Sequence, residues 1–125
     1  MMSKIKILLL ALLLSSCSLS TITNLIPRDH DSYMVEIWVE TKIAVDDINC
    51  NDTVDAVSGW MQVAQYAKSL SMYTSFRSDP QHGNIEGLYK HANKMAEGSS
   101  VTFCNLGKKT ANGRLQAAKT AWEGR

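Results

Sequence analysis

Histidine, cysteine, paired carboxylates and activated hydroxyls are the groups from which a small chain can build chemistry, and in this 125-residue sequence they are few and scattered. His30, His82 and His91 include no pair at the i, i+4 spacing that puts two imidazoles on one helical face, so no metal site is expected. Asp46 and Asp47 are adjacent and point in different helical directions, and Asp47 with Asn51 fits the end of a helix better than a general acid and base. Ser58 precedes Gly59 inside a helical pattern, without the strand-to-helix turn of a nucleophile elbow. No phosphate-cradling glycine loop is present. The expectation is a protein that is not an enzyme, with no catalytic residues and no cofactor.

The chain's first stretch carries a sharper signal. Lys4 and Lys6 form a basic start, residues 5–14 are an almost unbroken apolar run, and Leu14, Ser15, Ser16 and Cys17 close it. These are the parts of a secretory signal. The closing LSSC resembles the lipobox of bacterial lipoproteins. That resemblance implies cleavage before Cys17 by signal peptidase II, diacylglycerol on the Cys17 thiol, and an acylated amine. Several acyl chains make anchoring stable where one does not. The competing reading, a short membrane span, fails on length: ten apolar residues cover about 15 Å as helix, against roughly 30 Å of hydrocarbon. Ser18, where inner-membrane lipoproteins of enteric bacteria carry Asp, implies an address at the outer membrane, facing the periplasm.

Residues 1–16 are then a signal peptide, residues 17–31 a Ser- and Thr-rich lipidated tether interrupted by Pro27, and residues 32–125 the domain. Losing Lys4 and Lys6 leaves 11 basic residues against 12 acidic ones, so no overall field argues for nucleic acid. Charge is uneven: residues 29–55 hold eight carboxylates against Lys42, whereas Lys108, Lys109, Arg114, Lys119 and Arg125 face only Glu123. A basic binding tail is one reading, and a solvated last helix beside an acidic first helix is preferred. With Cys17 lipidated, Cys50 and Cys104 remain, and in an oxidising compartment they are expected to form a disulfide.

Four helices should position these groups. Met34, Ile37, Trp38, Thr41, Val45 and Ile48 share a face over residues 32–50, although the run from 35 to 39 would also suit a short strand. Asn51 or Asp52 caps a second helix with a stripe of Val54, Val57, Trp60, Met61, Ala64, Ala67 and Leu70, in which Gly59 marks a close approach. After a turn-like stretch containing His82, Ile85, Leu88, Tyr89, Ala92, Met95 and Ala96 form a third helix, with Gly98 beyond its end. Ser99 or Ser100 caps a fourth, carrying Val101, Cys104, Ala111, Leu115, Ala118 and Trp122 and weakest around Gly107, Asn112 and Gly113. The fold expected is all-α, an up-down four-helix bundle whose two cysteines meet at one pole.

Tyr66, Tyr73 and Phe76 lie partly off the second stripe and are the candidate partner-binding patch. The function expected is a binding or adaptor module of the envelope, docking an unidentified envelope protein in the general plan of the lipidated helical secretion pilotins. A phage- or plasmid-encoded lipoprotein of superinfection or entry exclusion is the alternative.

Overall fold

The computed structural model describes residues 31–124. The signal, Cys17 and the rest of the tether lie outside these residues. Four helices follow one another: α1 (Ser32–Asp46), α2 (Thr53–Phe76), α3 (His82–Met95) and α4 (Val101–Glu123). Three of the four helix starts are capped by a side chain, the exception being α3 at Gln81. Asp31 accepts from the Met34 amide at 3.2 Å, Asp52 from Val54 and Asp55 at 3.0 and 3.2 Å, and Ser100 from Phe103 at 3.2 Å, satisfying amides that lack an intrahelical partner. Gly98 adopts φ 112°, the left-handed conformation that ends α3 and frees the chain to turn into α4.

The segment from 35 to 39 is helical, not extended. Its β-branched residues lose side-chain freedom in a helix, but Met34, Ile37, Thr41, Ala44 and Val45 bury one face, and that packing outweighs propensity. Thr41 enters the core because its hydroxyl donates to the Ile37 carbonyl at 2.6 Å.

Contacts along the helices establish the topology. Ile48 meets Gly59, and Asp31 meets Tyr73, so α1 and α2 run antiparallel. His82 sits by Ser71 and Thr74, and His91 by Trp60, which makes α3 antiparallel to α2. Asn84 reaches Arg114, and His91 reaches Gly107, fixing α4 against α3. Lys108 and Trp38 close the ring, the first donating to the Asp46 and Ile48 carbonyls and the second to the Leu115 carbonyl at 2.9 Å. Each helix therefore neighbours the next, and α4 returns beside α1. The bundle is up-down, as its short connections imply.

Cys50 and Cys104 are disulfide-bonded across 5.6 Å between their Cα atoms. The bridge ties the end of α1 to the start of α4 at one pole, where Lys108 also covers the carbonyls that end α1. The basic start of α4 thus meets the acidic end of α1, and Asn112 lies 3.4 Å from the Asp46 carboxylate.

Two core clusters fill the ring. Trp60, Val63, Leu88, Met95 and Leu115 dominate the one nearer the disulfide, and Met34, Leu70, Ile85 and Trp122 the one at the opposite pole. The buried residues of α2 are Ala56, Trp60, Val63, Ala64, Ala67, Leu70, Ser71 and Thr74, so Trp60, Ala64, Ala67 and Leu70 of the expected stripe are inside, but its centre is rotated: Val54 and Met61 point outward, and Val57 is half-buried. Thr74 takes an interior position because its hydroxyl donates to the Ser71 carbonyl at 3.0 Å. Gly59 is a close approach, since a Cβ there would lie 2.9 Å from Ile48 Cγ1. α4 runs unbroken through Gly107, Asn112 and Gly113.

Candidate docking groove

The three aromatics expected to make one surface do not share one. Tyr66 is half-buried against the main core, and Tyr73 against the second cluster. Two helical turns separate them, so both face α1, where Tyr73 packs on Tyr33 with ring centroids 4.8 Å apart and its hydroxyl donates to Asp31. Phe76, three residues later, turns away from that flank and is 87% exposed. Of the three, Phe76 alone stands open to solvent.

Rotation of the α2 stripe opens a different surface. Met61 and Met72 are 55% and 65% exposed and look out along the seam between α2 and α3. Toward the end of α2 this seam is a groove of about 480 Å³ walled by Met72, Phe76, Ser75, His82 and Tyr89. Toward the disulfide pole it continues past Met61, Gln65 and Asn93 as a depression of about 240 Å³. Lys68 and Tyr89 line both, so the two form one trough. From Met61 to Met72 it runs about 16 Å at the helical rise, or three turns of a helix laid alongside.

Charges around the trough are mostly compensated. Glu86 accepts an ion pair from Lys90 at 3.3 Å and lies 3.5 Å from His82 Nε2. The lining therefore offers apolar and aromatic surface with Lys68 at its middle.

His82 belongs to the first turn of α3, not to the preceding loop. Its Nδ1 lies 3.1 Å from the Ser71 carbonyl and 3.2 Å from Thr74 Oγ1. A carbonyl only accepts, so Nδ1 carries the proton and serves the end of α2. Thr74 is fully buried, which removes its hydroxyl from the reach of a substrate despite the Glu86, His82, Thr74 sequence of contacts. Among the described residues no group of three or more metal-capable side chains assembles.

A second depression, about 300 Å³, lies between α1 and α4 and is lined by Val35, Trp38, Val39 and Trp122. Both indoles have their N–H groups satisfied inward, Trp38 on Leu115 and Trp122 on Asp79 Oδ1 at 3.1 Å, leaving ring surface as the wall. No described helix is long and apolar enough to cross a membrane.

No protein-family model, curated protein or solved structure matches the chain. Periodicity held one usable signal for the trough: Trp60, Val63, Ala67, Leu70 and Thr74 recur at alternating three- and four-residue steps, a register that leaves Met61 and Met72 outside.

Proposed function

We propose that this chain is an envelope lipoprotein, anchored through acylated Cys17 at the periplasmic face of the outer membrane, whose bundle docks an apolar helix of another envelope protein in the α2–α3 trough. The observation that carries the docking is the outward placement of Met61 and Met72 along an open seam that the core does not use. Methionine is unbranched and polarizable, and adapts to an incoming apolar surface better than a branched side chain does. A trough of three helical turns suits an amphipathic helix read at i, i+3, i+4 and i+7.

Two further features support the location. The LSSC stretch after a basic start and a short apolar run is what lipoprotein signal peptidase acts on. A closed Cys50–Cys104 bridge is at home in an oxidising compartment. Anchoring at one surface raises the domain's effective concentration for partners there, so a modest groove suffices for occupancy.

Photoreactive residues placed in the envelope-borne protein at positions 61 and 72, and at exposed Ile43 on α1 as control, test the docking. The same protein species should be captured from both trough positions and not from 43, and Met61→Asp should abolish capture at 72. Equal capture at 43, or none at either trough position, removes the proposal.

A further inference from the structure

The junction between the bundle and the chain before it is clasped. Asp31 Oδ1 accepts from the Met34 amide at 3.2 Å, while Oδ2 accepts from the Tyr73 hydroxyl and the Arg77 guanidinium. The carboxylate side chain is 8% exposed. Three donors from α1 and from the end of α2 hold this residue, so the joint is not a swivel. Asp31 stands at the pole where α1 and α3 begin and where α2 and α4 end.

That pole bears Phe76, the most exposed of the exposed large hydrophobic side chains. At the same pole, on the α1 flank, stands Tyr33, half exposed and stacked on Tyr73. Arg77 lies 5.9 Å from the Tyr73 ring centroid and neutralises Asp31, so covering the clasp with an apolar medium strands neither member of the pair. An apolar ring and an amphipathic one at one pole, with a compensated cation, are a combination suited to the boundary between headgroups and acyl chains.

We infer that this pole is a lipid-contacting surface, with Phe76 entering the interfacial layer of the bilayer in which Cys17 is anchored. The inference rests on lipidation at Cys17. Thirteen residues stand between Cys17 and Asp31, and at full extension they reach about 50 Å at most. The 24-residue α2 carries the disulfide pole about 36 Å farther from that joint. Of the two poles, the clasped one therefore has the higher effective concentration at the lipid surface. Transfer of a phenylalanine side chain out of water favours the pole-down orientation about tenfold or more. The α2–α3 trough, which starts at Phe76, then opens at the membrane surface and runs away from it.

The full acylated protein in phosphatidylethanolamine and phosphatidylglycerol vesicles tests this, with a photoreactive residue in place of Phe76 or, as control, of Val54, which is 78% exposed at the disulfide pole. Phospholipid adducts should form at position 76 in at least several-fold excess over position 54. Equal yields, or adducts at 76 to a second copy of the protein alone, overturn the inference. A purified chain without acyl mass refutes the anchor and this inference together, whereas an acylated chain with equal yields refutes this inference alone.

Discussion

Alanine at Gly113 should stabilise the protein, and alanine at Gly107 should not. Both glycines lie inside α4, so each replacement gains the same intrinsic helix preference, about 1 kcal/mol. A Cβ at Gly113 meets nothing within 4 Å. At Gly107 it would stand 2.6 Å from Met95 Cε, 3.0 Å from Met95 Sδ and 3.2 Å from Trp60 Cζ2. Met95 has rotatable bonds with which to retreat, but it and Trp60 are almost wholly buried, so any shift passes into the core. Overpacking of this kind costs about 1 to 3 kcal/mol. Subtracting the helix gain leaves Gly107→Ala neutral to about 2 kcal/mol less stable, while Gly113→Ala gains up to about 1 kcal/mol. In a domain of this size 1 kcal/mol corresponds to about 4 to 8 °C in Tm. Thermal unfolding followed by circular dichroism, with the disulfide intact in both variants, should raise Tm for Gly113→Ala and place Gly107→Ala at least about 4 °C below it. An equal rise for both variants would refute the packing of α4 on Trp60 and Met95.

The Cys50–Cys104 bridge closes a loop with a sequence separation of 54. Replacing both cysteines by serine should cost about 2 to 5 kcal/mol, read as a lower urea midpoint, and an unchanged midpoint contradicts a stabilising staple. Asp31 gives a pH dependence of determined sign. Burial pushes its carboxyl up, but the Tyr73 hydroxyl, the Met34 amide and Arg77 outweigh burial and hold it below the ordinary 3.8. A depressed carboxylate contributes stability that is fully present above its unfolded value and lost as pH falls through its folded one. The stability gap between the native protein and Asp31→Asn should therefore narrow as pH drops below about 3.8, and a gap constant with pH excludes the clasp.

Much of the fold can be read from residue spacing because three helices bury most of the stripes their apolar periods suggest, Val101 at the exposed start of α4 being an exception. Met34, Ile37, Thr41 and Val45 on α1, and Ile85, Leu88, Ala92 and Met95 on α3, are buried as that period requires. The second helix misleads, since Thr74 and Ser71 are buried through a backbone hydrogen bond that composition does not reveal, while Met61 and Val54 look apolar and lie outside. That displacement also moves the candidate surface from Tyr66 and Tyr73 to Met61, Met72 and the trough. Tyr73 is occupied by partners that spacing could not foresee, because Asp31 and Arg77 stand 42 residues before it and one turn after it. The disulfide is legible because Cys50 and Cys104 are the two cysteines left beside Cys17, and an up-down helix order brings the end of α1 and the start of α4 to one pole.

Anchored docking depends most directly on Cys17. The intact mass of the protein extracted from bacterial envelopes measures it in one step. The expected species begins at Cys17 and carries acyl chains, the unprocessed precursor should accumulate when globomycin is present, and Cys17→Ala should abolish both acylation and processing at that site. A mature chain that begins elsewhere, lacks acyl mass, or is processed unchanged in Cys17→Ala contradicts the anchored docking module.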